Sequence, residues 1–382
     1  MSYLKKTKYR RCSRCIMDTS IPEIRFDAEG ICQYCHIHDV LDEKYPLDEN
    51  SAEHLREIIE EIKTKGKGRK YDCVVGISGG RDSVWTLYTA VKLGLRPLAV
   101  HFDNGWNSEV AVKNILNAVS KLNIDLETVV ADWEEFKDLQ IAFLRASTPD
   151  VEVPTDLAIH SVLHKIAAKE RISYVLNGHS FRTEGVAPIG WTYFDGKYIS
   201  AVQKMFGTKR LKDFNNFGIF KLILYSFIYR IKVVPILNYS PYNQAKIDQL
   251  LKEELDWQYY GGHHHESIYT KFIQTYLLPK KFNIDKRKTE FSALIRSGQL
   301  NREDAINEIA NQKYEFDESL VDYSIRKLGI SKEEWIEIIN QEPRSFMSYP
   351  SYYPLMKLFK QQIKLATKLK LLPDLLYLKY LS

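Results

Sequence analysis

A run of small and polar residues directly follows a short apolar segment at residues 72–77. Glycines in such a run let backbone N–H groups approach an anion closely, and a helix beginning at the same point directs the positive end of its dipole toward that anion. Serine hydroxyls add donors, and the carboxylate suits a contact to Mg²⁺ or the orientation of the loop. The ending of a Walker loop is absent. The predicted phosphate loop consists of Ser78, Gly79, Gly80, Arg81, Asp82 and Ser83.

Four of the five cysteines form two Cys-x-x-Cys pairs that are sixteen residues apart. Two such pairs match a tetrahedral zinc site with sulfurs about 2.3 Å from the metal. A redox pair is the weaker alternative, because no thioredoxin-like pattern surrounds either motif. We therefore predict a structural Zn²⁺ site, and we expect Cys73 to be a small buried hydrophobe. The predicted ligands are Cys12, Cys15, Cys32 and Cys35.

Further polar residues follow two other predicted strands. Asp103 and Asn104 come after the second, and Gly178 and His179 come after the fourth. Open parallel sheets bind ligands at the carboxyl ends of their strands, so we expect these residues near the loop. His179 is predicted to act beside Ser78, Asp82 and Ser83, although a buried structural histidine is the alternative. Asp103 has a similar alternative as a turn-capping residue.

Strands and helices alternate in the region that must position these residues. Such alternation predicts an α/β fold with a parallel sheet and right-handed crossovers. After about residue 205 the pattern weakens, and residues 208–232, 240–276 and much of 300–340 are predicted to be helical. The predicted strands are 72–77, 96–102, 126–130 and 173–177, and the predicted helices are 51–62, 83–92, 108–122 and 155–171.

The chain of 382 residues is 45% hydrophobic and 27% charged, as is usual for a soluble globular protein. Its net charge of +5 comes from residues 1–15, which hold six basic residues and no acidic one. The remainder is close to neutral, so a broad nucleic-acid-binding face is not expected. No signal peptide or transmembrane run is recognisable, and the cysteines suit a reducing compartment, so we expect a cytoplasmic protein.

The C-terminal tail from residue 353 is predicted to be a basic helix. Its lysines recur at helical spacing and share one face, which favours a surface helix docked on the domain. Weak contact with a membrane surface, or with a partner, is the alternative. The lysines are Lys357, Lys360, Lys364 and Lys368.

The run Ser-Gly-Gly-Arg-Asp-Ser resembles the loop of the PP-loop ATP pyrophosphatases, the adenine nucleotide alpha hydrolase-like fold. Over residues 10–345 the chain is similar to the N-acetyl sugar amidotransferases of bacterial O-antigen, lipopolysaccharide and nonulosonate biosynthesis. This resemblance also includes Val-Pro-Thr-Asp-Leu-Ala-Ile at 153–159, Asn-Gly-His-Ser at 177–180, Tyr-Tyr-Gly-Gly-His-His-His-Glu-Ser at 259–267 and Lys-Phe-Asn-Ile-Asp-Lys-Arg-Lys at 281–288.

The resemblance implies a reaction and its reagents. ATP would be cut between its α and β phosphates, with Mg²⁺ stabilising the leaving pyrophosphate, and AMP would be placed on the acetamido oxygen of an N-acetylated, nucleotide-linked sugar or nonulosonate. Ammonia would then replace that oxygen to give an acetamidino sugar. The chain lacks an N-terminal cysteine nucleophile and a recognisable glutaminase domain, so the resemblance implies a glutaminase and a barrel subunit as ammonia-supplying partners.

The resemblance also suggests further site residues and domains. In relatives the residues after the second strand approach the adenosine, and a Gly-His pair after a later strand faces the phosphates, so Asp103, Asn104 and Gly178 would contact the nucleotide. Lys286 and Arg287 would contact pyrophosphate or AMP, and Asp156, His264 and Glu266 would contact the substrate. The histidines at 263–265 could instead form a second metal site, although a polar cleft lining is preferred. The predicted domains are a cysteine-rich zinc module (1–48), the PP-loop domain (49–205), a helical region covering substrate and AMP (206–345) and the basic tail (346–382).

Two other functions are considered. A tRNA-thiolating PP-loop enzyme would need a broad basic surface and a reactive cysteine near the loop, and the sequence provides neither. A non-catalytic pathway scaffold would use the zinc module and the tail for docking, but it would not need an intact phosphate loop.

Overall fold

A computed structural model describes residues 8–214, 216–262, 264–314, 316–368, 372 and 374–381. Its centre is a five-stranded parallel sheet in the order β3-β2-β1-β4-β5. Residues 72–77 lie centrally because both faces of this apolar run are covered by helices. The strands are β1 (Cys73–Gly76), β2 (Pro97–Asp103), β3 (Leu126–Val130), β4 (Tyr174–Leu176) and β5 (Lys232–Val234).

Helices connect the strands and form the C-terminal part of the chain. In the first half they are α1 (Gln33–Lys44), α2 (Glu49–Gly66), α3 (Arg81–Lys92), α4 (Glu109–Leu122), α5 (Trp133–Ala146), α6 (Val153–Lys169) and α7 (Gly196–Phe206). In the second half they are α8 (Ile219–Ile223), α9 (Gln244–Leu255), α10 (Ile268–Phe272), α11 (Leu278–Phe282), α12 (Arg287–Arg296), α13 (Arg302–Asn311), α14 (Glu318–Leu328), α15 (Lys332–Asn340), α16 (Tyr353–Leu358), α17 (Lys360–Lys368) and α18 (Asp374–Tyr380). Short π-helical turns follow α8 at Leu224–Ile228 and α10 at Ile273–Leu277, and 3-10 turns lie at Ile236–Tyr239 and Phe346–Ser348.

Local sequence signals fix several helix ends near the site. Ser108 and Asp132 accept hydrogen bonds from Ala111 N and Glu135 N, which caps α4 and α5. Asn123 ends α4 in the left-handed conformation. The apolar faces of α3, α4 and α9 pack on one side of the sheet, and α6 packs on the other.

The α/β fold, the four-cysteine cluster near the N-terminus and the helical C-terminal region confirm the predicted fold class. Several elements after β4 were predicted wrongly. Residues 208–214 and 216–218 are not helical, and Lys232, the last residue of that predicted helix, begins the edge strand β5, which pairs with β4. Residues 256–262 and 264–267, also predicted to be helical, form a loop across the carboxyl end of the sheet, which we call the crossing segment. The described residues of the tail form α16, α17 and α18 instead of the single predicted helix, so Lys357 lies on α16 and the other three predicted lysines lie on α17. Within the described residues, no helix combines the length and apolar content needed to cross a bilayer.

Candidate functional site

The glycine-rich loop joins β1 to the first turn of α3. Ser78 N donates to Ser83 Oγ at 3.1 Å, and Ser83 Oγ donates to Gly80 O at 2.9 Å, so the loop closes on itself. Gly79 has a φ of +82°, and a Cβ there would lie 2.3 Å from Ala111 O. Only glycine fits this close approach to α4. The loop ends at the N-terminus of α3, a 12-residue helix, and this position suits an anion site.

Side chains from α4 and from the crossing segment contact the backbone of the glycine turn. Trp257 Nε1 and Asn114 Nδ2 donate to Gly79 O at 3.0 and 3.1 Å. Arg81 forms an ion pair with Asp248 on α9, and its backbone N–H donates to Tyr260 OH at 3.2 Å. Because Arg81 is already paired in this way, its guanidinium braces the loop against α9.

Glu266 reaches the loop from the crossing segment. Ser78 Oγ donates to Glu266 Oε1 at 3.1 Å, and Glu266 is 7% exposed. His264 Nδ1 lies 3.7 Å from the same oxygen, and its φ of +61° is unusual for a residue with a side chain. The structure thus brings together Ser78, His264 and Glu266, three residues that sequence reasoning placed in one site. His263 lies outside the described residues, and burial lowers the pKa of His265 to about 4.

Glu184 connects the two histidines and was missed by the sequence analysis. Its carboxylate lies 3.1 Å from His179 Nδ1 and 3.6 Å from His264 Nε2. Glu184 follows His179 by only five residues, but its link to His264 is set by the fold. Its position just after a predicted strand end was the only sequence signal.

The acidic and basic groups of this cluster shift one another's ionisation. Burial, with a contribution from Glu184, raises the pKa of Asp82 to about 6, and Tyr242 OH donates to the Asp82 carboxylate. Although burial opposes charge, His179 holds the pKa of Glu184 well below its usual range. Against the same opposition from burial, Glu184 and Glu266 raise the pKa of His264 well above its usual value. Burial also raises the pKa of Glu290 to about 7.

Asp156, on α6, is electrostatically coupled to His264. Burial and the nearby Glu152 raise the pKa of Asp156 to about 7, and Lys286, His264 and Lys379 oppose this rise. Asp156 and His264 thus interact electrostatically, in keeping with their predicted grouping.

Asp103 and Asn104, which were predicted to contact the nucleotide, form hydrogen bonds to nearby residues of the chain. Asp103 Oδ1 accepts from Gly105 N and Asn107 Nδ2 at 2.8 and 2.9 Å, and Asn104 Oδ1 accepts from Trp106 N at 3.2 Å. These bonds shape the turn after β2. Gly178 packs on the first turn of α3, where a Cβ would lie 2.7 Å from Thr86 Oγ1.

Arg287 donates to Asp285 and to Gln312 O, which directs it away from the role expected for a free phosphate-binding cation. Contact of Arg287 or Lys286 with the nucleotide remains a prediction, as do the nucleotide contacts of Asp103, Asn104 and Gly178.

The four N-terminal cysteines converge in one cluster that could hold a metal ion. Their sulfurs are 3.7–3.8 Å apart in the pairs Cys12–Cys35, Cys15–Cys32 and Cys32–Cys35. This spacing is what a tetrahedron with metal–sulfur distances of about 2.3 Å requires.

Arg296 connects the cysteine cluster to α12. Its guanidinium donates to the Sγ atoms of Cys35 and Cys15, both at 3.3 Å. Charged donors of this kind offset the negative charge of metal-bound thiolates. Helix α12 also carries Glu290, which interacts electrostatically with His264, so the cysteine module contacts a helix that borders the site.

Comparison with known proteins gives matches to parts of this chain. An uncharacterized protein from Methanocaldococcus jannaschii is 31% identical over 144 residues, which is 36% of this chain and 48% of that relative. The chain thus spans about half the length of this curated relative.

The solved structures that resemble this chain have low sequence identities and low TM-scores. The NMN synthetase of Francisella tularensis is 12% identical over 75% of this chain and 96% of its own, with a TM-score of 0.31. The U34-tRNA thiolase NcsA of Methanococcus maripaludis, solved with a 4Fe-4S cluster, is 15% identical over 85% and 100%, with a TM-score of 0.33. At these TM-scores the likeness supports no conclusion about function.

One family model matches the part of the chain that reaches the loop. It is described as "LPS biosynthesis protein WbpG-like, C-terminal domain" and matches residues 266–364. The match begins at Glu266, the residue bonded to Ser78. Residues 266–364 are therefore similar to the C-terminal domain of WbpG-like proteins of lipopolysaccharide biosynthesis.

Proposed function

We propose that this chain is an ATP-dependent, AMP-forming amidotransferase that converts the acetamido group of an N-acetylated, nucleotide-linked sugar or nonulosonate into an acetamidino group. The observation that carries the proposal is the hydrogen bond from Ser78 to Glu266. It joins a loop suited to phosphate with the first residue of a segment similar to lipopolysaccharide-biosynthesis proteins. Such a bond would couple nucleotide binding to the sugar site.

The proposed reaction has two steps. The acetamido oxygen attacks the α-phosphorus of ATP, and the bond to pyrophosphate breaks. Ammonia then attacks the activated carbon, and AMP leaves with the former acetamido oxygen, so that nitrogen takes its place. Backbone N–H groups of the loop and the dipole of α3 stabilise the phosphate charge, which is electrostatic catalysis without a side-chain nucleophile.

Asp82 and Glu184 are the proposed holders of Mg²⁺. Repulsion from Glu184 contributes to the raised pKa of Asp82, and a divalent cation between such carboxylates would relieve it. When bound, Mg²⁺ would supply charge stabilisation for the leaving pyrophosphate. His179, which lies beside Glu184, orients that carboxylate.

The four-cysteine cluster is proposed to hold a structural Zn²⁺. All four cysteines are buried, and they leave no open ligand position for chemistry. A sulfur-transfer reaction would instead need a thiol near the loop. The remaining cysteine, Cys73, is fully buried in β1, and burial raises the pKa of its thiol, so it is a poor nucleophile.

We further propose that ammonia reaches this chain from a glutaminase and a barrel subunit, and that the reaction takes place in the cytoplasm, where ATP and nucleotide sugars are available. Purified chain should then use ammonium far better than glutamine. Equal use of both by the chain alone would contradict the need for partners.

The decisive experiment incubates the purified chain with ATP, Mg²⁺, ammonium and candidate nucleotide-linked N-acetyl sugars. We expect AMP, pyrophosphate and a sugar product whose mass changes by the replacement of O with NH. The variant Ser78→Ala should lose this product, whereas Ser319→Ala, at an exposed position on α14, should keep it. A thiolated tRNA product would favour the rival thiolase, and absence of AMP formation with substrate and partners present would favour a scaffold.

A further inference from the structure

The segment between β4 and the edge strand β5 carries an unusual group of exposed apolar side chains. Helix α8 and its π-helical turn present Phe220, Phe227 and Ile228 at 81%, 53% and 71% exposure. Leu222, Ile223, Leu224 and Tyr229 are exposed as well. We call residues 219–230 the apolar helix. A continuous exposed apolar surface of this kind marks an interaction site.

The apolar helix is attached to the body of the protein through one side only. Tyr225 stacks on Phe217 with ring centroids 5.9 Å apart and lies 5.6 Å from the ring of His164. Ile231, which follows the helix, is buried against the sheet. The exposed apolar side chains lie on more than one side of the helix, which suits immersion in a medium better than contact with a single protein groove.

The surrounding sequence is strongly basic. Between Asp195 and Asp248 there are nine lysines and arginines and one acidic residue, Asp213. Lys209 and Lys232 pair with Glu134 and Glu61. Within the described part of the chain, the other seven cations of this stretch form no ion pair; they are Lys197, Lys204, Arg210, Lys212, Lys221, Arg230 and Lys246. Apolar side chains with basic neighbours match a bilayer surface that contains anionic lipids.

A second exposed apolar and basic segment begins at the same place. Tyr352 N, just before α16, donates to Asp195. The adjacent Gly196 accepts from Asn216 Nδ2 at 2.7 Å and lies against Gly218, just before the apolar helix. Helices α16 and α17 expose Leu355, Leu358, Phe359 and Leu365 among lysines.

We propose that the apolar helix, together with the neighbouring α16 and α17, binds the protein peripherally to a bilayer containing anionic lipids. The apolar side chains enter the acyl boundary, and the basic residues contact headgroup phosphates. Because part of the attraction is between basic side chains and headgroup phosphates, the attachment is salt-sensitive.

The test is co-sedimentation of the full chain with vesicles. We expect binding to vesicles of phosphatidylethanolamine and phosphatidylglycerol, little binding to phosphatidylcholine alone, and weaker binding at high salt. The triple variant Phe220→Ser, Phe227→Ser, Ile228→Ser should bind at least about tenfold more weakly because it removes the inserted side chains. The variant Lys212→Glu, Arg230→Glu should bind about fivefold more weakly per charge removed and should show a weaker salt dependence.

A matched control is Leu116→Ser, Val130→Ser, Ile336→Ser, which alters three similarly exposed apolar residues on other elements. It should bind vesicles like the unmodified chain, and circular dichroism should show both triple variants folded. The proposal is overturned if the unmodified chain stays in the supernatant with anionic vesicles or if the control triple loses binding equally. It is also overturned if sedimentation velocity shows that the three side chains mediate only self-association, or if tRNA binds this surface and vesicles do not.

Discussion

The hydroxyl of Ser78 donates a hydrogen bond to Glu266, 188 positions later in the chain. This bond connects the first residue of the loop with the segment that crosses the sheet end. His264 lies 3.7 Å from the same carboxylate and Glu184 lies 3.6 Å from His264, so the contacts continue to His179. The glycine-rich loop and the crossing segment therefore form one electrostatic unit.

Glu266→Gln should weaken this unit. The charged hydrogen bond to Ser78 becomes a neutral one, and His264 loses one of its two carboxylate neighbours. We expect kcat/KM for ATP-dependent AMP formation to fall by about 10- to 100-fold, the range expected for loss of a charged hydrogen bond. The control Glu253→Gln, at an exposed position on α9, should leave turnover unchanged. Equal rates for the two variants would show that Glu266 has no part in the reaction.

The pair of Glu184 and His264 should make stability depend on pH. The lowered pKa of Glu184 contributes stability above about pH 4.3, and the raised pKa of His264 contributes it below about pH 6.5. Stability from the pair is lost as pH falls through the lowered pKa of Glu184 or rises through the raised pKa of His264. Thermal midpoints of the unmodified chain and Glu184→Gln should thus differ most between these two values. A difference that grows steadily toward alkaline pH would contradict this pairing.

The sequence predicted the parts of the site whose determinants are local. Small residues after a buried run, followed by a helical pattern, sufficed for the loop from Ser78 to Ser83, and Cys-x-x-Cys spacing sufficed for the cysteine cluster. The first four strands were also correct to within about two residues, because apolar runs bounded by turn residues are strong signals.

The remaining features depend on contacts between distant segments. The contact between Glu184 and His264 has no local sequence signal, because the two residues are 80 positions apart. Lys232–Val234 forms a strand only because it pairs with the open edge of β4. In the sequence these three residues cannot be told apart from the apolar helix that precedes them. Arg287 was predicted to contact pyrophosphate or AMP, but it donates to Asp285 and, 25 positions later, to Gln312 O.

Binding of Mg²⁺ should depend on the ionisation of Asp82. Because burial and Glu184 raise the pKa of Asp82 to about 6, a growing fraction of this carboxyl is protonated as pH falls below that value. A cation must displace that proton. We expect the affinity for Mn²⁺, used as a paramagnetic substitute for Mg²⁺ in the presence of ATP, to fall below about pH 6 and to become weak at all pH values in Asp82→Asn. Affinity that is unchanged between pH 5 and 7, roughly one unit either side of that pKa, would exclude Asp82 as a ligand.

Loss of one cysteine ligand should remove the metal and loosen the contact with α12. In Cys32→Ser, mass spectrometry of the purified protein should find much less zinc per chain, and the thermal midpoint should fall because the buried cluster around Tyr34 loses its metal. Cys73→Ala serves as the matched control, because Cys73 is equally buried but lies in β1. It should retain the full metal content. Metal that survives in Cys32→Ser but is lost in Cys73→Ala would contradict the four-cysteine assignment.

Replacing Gly79 tests whether the loop depends on its close contact with α4. Gly79 and Gly68 both have positive φ angles, of +82° and +77°, but an added Cβ meets Ala111 O at 2.3 Å in the first case and nothing within 4 Å in the second. Gly68→Ala should therefore cost about 1 kcal/mol of unfolding free energy, from backbone conformation alone. Gly79→Ala should cost roughly 1–3 kcal/mol more, since the loop must move away from α4. Urea unfolding measures both values.

Gly79→Ala should also lose ATP turnover, because the backbone N–H groups of the displaced loop no longer converge on the phosphate. Gly68→Ala should keep its ATP turnover. Equal stability losses in the two variants would mean that the loop relaxes freely and is not held in place by α4.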